Sequence, residues 1–281
     1  VTSMTMLSIN TNVGALQAAQ ASYSVNKSME TSMERLSTGK RVNSSADDAA
    51  GLQIVQRMTA EIMGLRQAAR NAADGQAMFA TAEGAAKEIG IMLLRLREIA
   101  VQASNGTAED GGDRAALASE FAALEAEITR ISDDTTFGGI ELLDGTFSVK
   151  TAGRLQIGVD AAEVMTHKIN NLASTAINLV AAVDVTTFTK AQSAIAELDK
   201  SISLVGTARE KIGAVINRLD HTIANLSQVA TNLSLAKGRI EDADFAAETS
   251  NLARTQVLQQ ASMAMLAQAN ASKQNILALF Q

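Results

Sequence analysis

A chain of 281 residues is long enough to bury one or two hydrophobic cores without disulfides or metals. It has no Pro, Cys or Trp, and Ala, Leu, Ile, Val and Met carry its apolar content, which excludes an ordinary mixed globular domain and favours long uninterrupted helices. A net charge of −6 without a Lys/Arg cluster excludes a nucleic-acid surface, and the lack of any run of about 18 apolar residues excludes membrane insertion.

Along the chain, the stretch from Val1 to Met6 lacks the basic and apolar regions of a Sec-type signal, so work outside the cell requires another export route. Residues 1–44 carry Lys27, Arg35, Lys40 and Arg41 against Glu30 and Glu34, a net +2. A helix is predicted to start after Ser45, with Asp48 three residues on, and to end near Asn105-Gly106. Its seam is Ile89, Met92, Leu96, Ile99 and Ala103, in alternating steps of three and four.

A second helix is predicted from about Asp113 to just before Thr136-Phe137-Gly138-Gly139, with the seam Leu117, Phe121, Leu124, Ile128 and Ile131. From Ile140 to about Val185 the pattern changes. Gly145, Gly153 and Gly158 punctuate two alternating runs, Phe147–Thr151 and Arg154–Val159, which read as a small β-hairpin region.

The clearest pattern lies between about 190 and 236: Ile195, Leu198, Ile202, Val205, Arg209, Ile212, Ile216, Leu219, Ile223, Leu226, Ala230 and Leu233 form a heptad seam broken only by Arg209 and Ala230. Thr189 and Gln192 stand before it in capping-box spacing. Such seams bury one another by left-handed packing at about 20°. Residues 240–281 carry Arg254 and Lys273 against Glu241, Asp242, Asp244 and Glu248, a net −2, so the two ends are charge-complementary. From Leu252 onward the segment offers too little core for an isolated subunit, and orders when partners cover it.

The fold class is therefore mainly α: a long antiparallel coiled-coil or helical-bundle rod formed by both chain ends, with a small β-hairpin region in the middle of the sequence. Nothing points to an enzyme, a cofactor or a metal. His167 and His221 sit in no ligand spacing. Asp47-Asp48 suits a helix first turn, and Glu109 to Asp113 reads as a solvated turn and not a calcium loop. Met263 and Met265 suit core or intersubunit packing better than a chaperone-binding face. The Asn-x-Ser/Thr triplets at Asn43, Asn105, Asn225, Asn232 and Asn270 read as incidental.

Near the start stand Ile9-Asn10-Thr11-Asn12-Val13 and the run Arg35 to Leu52, and near the end Arg239 to Arg254, Gln259 to Ala261 and Leu266 to Asn270. In these motifs at both ends the chain resembles bacterial flagellins of a short type lacking large outer domains. Leu96 to Ala103, Ala126 to Thr129, Phe137 to Gly139 and Ile212 to Arg218 extend the resemblance to the middle.

The resemblance implies a structural subunit of an extracellular flagellar filament used for swimming. Residues 1–46 with 240–281 would form the inner tube, 47–139 with 187–239 a helical rod, and 140–186 the hairpin at its tip. Ile9, Asn10, Leu36, Leu252, Leu258, Leu266, Ile276, Leu277 and Phe280 are the expected self-assembly residues. The implied partners are copies of the chain itself, hook-associated junction and cap proteins, the flagellar type III export machinery and a secretion chaperone. Arg95, Leu96, Arg97, Glu98, Ile99 and Glu127 match a rod surface recognised by Toll-like innate receptors in some flagellins, with intersubunit packing as their plainer role. A hook–filament junction subunit and a ligand-binding module are the competing readings.

Overall fold

The computed structural model describes residues 11–107, 109, 111–147, 153–177, 179 and 183–278. Among them are five helices, α1 (Val13–Thr38), α2 (Ala49–Ala103), α3 (Asp113–Asp134), α4 (Phe188–Glu241) and α5 (Phe245–Ala278). Two small antiparallel sheets lie in the middle of the sequence, so the mainly α expectation is met. The chain divides into two compact units, Val1–Ala60 with Leu233–Gln281, and Glu61–Asn232.

Local chemistry sets the helix starts, and two of them differ from expectation. Asp48, not Ser45, caps α2: its Oδ1 accepts from the Gly51 N–H at 2.8 Å. Asp47 turns the other way, accepting from the Ser44 N–H and Oγ and the Asn43 N–H, and these bonds hold its carboxyl below the usual carboxylate range. The acidic pair thus serves one helix and one loop.

Likewise α4 starts at Phe188, which places Thr189 and Gln192 inside the helix and Thr187 before it, the Thr187 carbonyl accepting from Ala191 at 2.9 Å. Just upstream, the Lys190 ammonium at 2.6 Å and the Thr186 N–H lower the Asp184 carboxyl to about 2.

Thr136-Phe137-Gly138-Gly139 does more than stop α3. Gly138 and Gly139 have φ of 58° and 81°, the paired left-handed conformation of a tight hairpin turn, and they join β1 (Thr136–Phe137) to β2 (Ile140–Glu141). In the second hairpin β3 (Arg154–Gln156) pairs with β4 (Val164–Thr166); of the 147–151 run only Phe147 lies among the described residues. Phe147 is a core residue, meeting Phe79 edge-on with ring centroids 6.1 Å apart.

This hairpin lies on α2 where side chains are small or absent. A Cβ at Gly75 would run into Leu155 Cδ1, one at Gly64 would stand 3.0 Å from Val159 Cγ1, and the Asn71 amide donates to the Gln156 carbonyl at 3.1 Å.

One continuous apolar cluster forms the core of Glu61–Asn232, built from α2, α3, α4 and the hairpin region. Phe79, Ile89, Leu93, Leu96, Ile99, Ile128, Leu198 and Leu219 are all fully buried in it. On α4 the deepest line runs through Ala191, Ala194, Leu198, Ser201, Val205, Ala208, Ile212, Val215 and Leu219. It shares every second residue with the expected heptad, but Ala194, Ser201, Ala208 and Val215 replace Ile195, Ile202, Arg209 and Ile216, which are half-buried beside it.

Small residues sit deepest because neighbouring backbone comes close: the Ser201 hydroxyl donates to the Ile177 carbonyl. Arg209, the break in the seam, reaches Glu83 Oε1 through Nε and Nη2 at 3.0 and 2.7 Å.

Candidate self-assembly surface

The Val1–Ala60 and Leu233–Gln281 unit is built around α1 and α5. Asn12 caps α1, its Oδ1 accepting from Ala15 at 3.0 Å while its amide donates to the Ala269 carbonyl at 3.1 Å. Further along, Gln259 donates to Asn26 at 2.9 Å, and Arg35 lies 3.9 Å from Glu248. The Ala243 N–H donates to Gly39 at 3.0 Å. Partners on α1 rise in number as those on α5 fall, so the two helices run antiparallel along their length.

A dense polar knot closes the pair at the C-terminal end of α1. Gly39 takes φ of 71°, and its N–H donates back to Arg35, a left-handed cap that only glycine adopts freely. Lys40 then bridges Asp242 as an isolated antiparallel pair, and the Arg41 N–H and guanidinium donate to the Glu241 and Ile240 carbonyls at 2.6 and 2.8 Å.

Glu241 sits inside the knot, 6% exposed, 2.6 Å from Lys40 and 3.3 Å from Lys237. Burial alone would raise its carboxyl; the two ammonium groups outweigh that and leave it below its ordinary value. Asp244 follows as the cap of α5, accepting from Ala246 and Ala247 at 2.9 and 3.2 Å. The charge complementarity of the chain ends thus resolves into named pairs.

Among the described residues, no large apolar side chain of α1 or α5 is fully buried, although Val25, Met29, Leu36, Leu252 and Leu266 are half-buried. The buried residues of α1 and α5 are Ser32, Glu248 and Thr255, whereas Val13, Leu16, Tyr23, Met33, Phe245, Val257, Leu258, Met263 and Met265 are exposed. On α5 the exposed set is not a stripe. Eighteen residues, about five turns, separate Phe245 from Met263 and put them on one side; Leu258 and Met265, seven apart, share a roughly opposite one. A helix apolar on several sides is one that other surfaces cover.

Of the expected self-assembly residues, Leu36, Leu252 and Leu266 are half-buried and Leu258 is exposed. Ile276 and Leu277 lie on α5 with side chains outside the described residues, as are Ile9, Asn10 and Phe280 altogether.

The second expected surface needs a correction. Leu96 and Ile99 are wholly buried, members of the same core seam that the 3–4 spacing picks out, and so cannot present themselves to a receptor. Arg95, Arg97, Glu98 and Glu127 do lie outside. Arg95 pairs with Glu98 and Glu120, both at 2.7 Å, Arg97 with Asp199 and Arg130 with Glu127, both at 2.6 Å. Exposed Ile91, Leu94 and Val101 stand among them on α2, apolar residues that no seam contained.

Among the described residues no group of His, Cys, Asp and Glu is arranged to hold a metal. His221 is exposed, and His167 is half-buried against the edge of Phe79 with ring centroids 5.4 Å apart. No helix of the described residues is long and apolar enough to cross a membrane.

Comparison with known proteins gives the geometry a context. Residues 9–148 match the family model of the bacterial flagellin N-terminal helical region, and residues 191–280 that of the C-terminal helical region. The chain is similar to a flagellin of Halalkalibacterium halodurans, 44% identical over 275 residues covering 97% of this chain and 99% of the relative. It is also similar to one of Bacillus subtilis, 39% identical over 302 residues with the same coverage of each. Among solved structures, Bacillus cereus flagellin aligns with a TM-score of 0.50 and 30% identity, over 60% of this chain and 94% of that one.

Proposed function

The chain belongs to the bacterial flagellin family and is a structural subunit of the flagellar filament, not an enzyme; from that premise we propose that the antiparallel α1–α5 pair is the part that polymerises. In this reading residues 1–46 with 240–281 make the inner tube of the filament, 47–139 with 187–239 a helical rod, and 140–186 the hairpin region at the rod's tip. The observation that carries it is the exposure of large apolar side chains on several sides of α5, with Phe245 and Val257 each 66% exposed.

A contact between different faces of identical chains, repeated with a rotation and rise that do not close, gives an open helical polymer. The exposed apolar residues supply its driving force. Covering them orders the chain ends, and that entropic cost keeps free subunits from polymerising without a nucleus. The subunit reaches its site unfolded through the flagellar type III export channel, held by a secretion chaperone at its C-terminal segment, and meets junction and cap proteins at the filament's two ends. Arg95, Arg97, Glu98 and Glu127 form part of an intersubunit face that Toll-like receptors also meet in free subunits.

Electron microscopy of the full-length protein seeded with filament fragments, beside a version lacking residues 240–281, tests the central claim. Long tubes from the intact chain alone are expected. Soluble protein in both samples under every seeding condition refutes self-assembly through the termini.

A further inference from the structure

We propose that Asn105 is a built site of spontaneous deamidation, where the fold promotes attack of the Gly106 backbone nitrogen on the Asn105 side-chain carboxamide. Asn105-Gly106 is the one Asn-Gly step in the chain, and both residues are exposed in the loop that follows α2. Glycine has no Cβ to hinder the close approach.

Three contacts, or their absence, prepare the reaction. First, among the described residues no acceptor takes the Gly106 N–H, so the nucleophile is free. Three other asparagines differ in this respect. Ser44, after Asn43, donates its N–H to Asp47 at 2.9 Å; Leu172, after Asn171, donates to Leu143 at 2.8 Å; Asn71 lies within α2.

Second, Arg114 is 5% exposed and anchored by its Nε to the Ala103 carbonyl at 2.7 Å, and its Nη2 donates to the Asn105 backbone carbonyl at 2.8 Å. That carbonyl belongs to the peptide whose nitrogen attacks. When the nitrogen loses its proton, the negative charge spreads onto this oxygen, so a buried cation there favours the ionised form. Third, the Thr107 N–H donates to Asn105 Oδ1 at 3.3 Å, the atom on which charge develops as the bond forms.

The chemistry balances with water alone. The Gly106 nitrogen gives its proton to hydroxide or water and bonds to Asn105 Cγ, while the carbonyl electron pair moves to Oδ1. That pair returns, the bond to the carboxamide nitrogen breaks, and ammonia leaves with a proton, closing a succinimide. Water then adds to either ring carbonyl and opens it to aspartate or isoaspartate. Net, one water enters and one ammonia departs.

The product is a new carboxylate beyond the C-terminal end of α2, where the helix dipole is already negative. An isoaspartate also adds a methylene to the main chain, drawing the carbonyl off Arg114.

The test incubates folded full-length protein at mildly alkaline pH and follows, by peptide mapping, the exchange of NH for O at each asparagine. A synthetic peptide of residues 99–113, lacking Arg114, is the reference. The folded chain is expected to convert Asn105 about tenfold faster than the peptide, the factor given by 1.4 kcal/mol of preferential stabilisation. R114Q should bring the rate to that of the peptide while leaving the Asn43 peptide unchanged. A folded-state rate equal to or below that of the peptide overturns the proposal, whatever the variant does, and so does an unchanged rate in a folded R114Q.

Discussion

Replacing Glu241 by Gln keeps the shape of the side chain and removes only its charge, which isolates the electrostatic part of the knot joining α1 to α5. The carboxylate is buried, but its partners are not: the Lys40 and Lys237 side chains are 48% and 27% exposed. Solvent therefore screens each pair, and an exposed pair contributes about 0.2–1 kcal/mol. Because one buried carboxylate serves two ammonium groups, the combined loss is expected at about 1–2 kcal/mol, below the 3–5 kcal/mol of a fully buried pair left broken.

Native-state hydrogen exchange on the full chain reads this directly. The Arg41 amide donates to Glu241 and the Ala243 amide to Gly39, so both report opening of the knot. Their protection should fall by about tenfold in E241Q, while amides of the Phe79 core stay unchanged. Lowered protection in E241Q that K40M and K237M together reproduce would tie the effect to the ion pairs. Protection unchanged within a factor of about two would refute the reasoning and reduce the knot to its backbone bonds.

Phe79→Ala removes a fully buried ring that meets both Phe147 and His167 edge-on, and should cost about 3–5 kcal/mol in thermal or denaturant unfolding. The glycines separate by surroundings: G84A on α2 meets nothing within 4 Å and should stabilise by about 0.5–1 kcal/mol, whereas a Cβ at Gly153 would lie 2.6 Å from the His167 carbonyl and G153A should destabilise by about 1–3 kcal/mol, both by chemical denaturation. His167 is held below its ordinary value of 6.5 by burial first, then by Lys211 and Arg218, so the unfolded chain binds its proton more readily. Stability should fall as pH drops below 6.5 toward the lowered folded value, and H167Q should flatten that part of the profile.

Much of the architecture was legible as spacing. The seams at Ile89–Ala103, Leu117–Ile131 and Ile195–Leu233 lie on α2, α3 and α4, because long stretches without proline leave hydrophobic period as the main signal. What spacing missed follows from reading size as depth. Ala194, Ser201 and Ala208 lie deeper than their isoleucine and arginine neighbours because close backbone approach favours small side chains, which carry little hydrophobic signal. Leu96 and Ile99 show the reverse: their place in a seam already excluded them from an exposed surface.

At the ends, the net charges were visible, but the pairing of Lys40 with Glu241 and Arg35 with Glu248 depends on the antiparallel register, which no local pattern encodes. The Arg154–Val159 run does hold a strand, but its partner Val164–Thr166, only three residues long, is not singled out by its spacing.

The pairing of Asn12 with Ala269 and Asn26 with Gln259 joins positions 257 and 233 residues apart in sequence. A chain emerging from its N-terminal side thus makes α1 first and must hold it unmatched until almost everything else has passed. Closing so long a loop is slow, and contacts of such separation form late. The terminal unit is in effect self-timed: its pairing cannot run ahead of its own delivery, so both ends must have arrived before neighbouring copies can cover them.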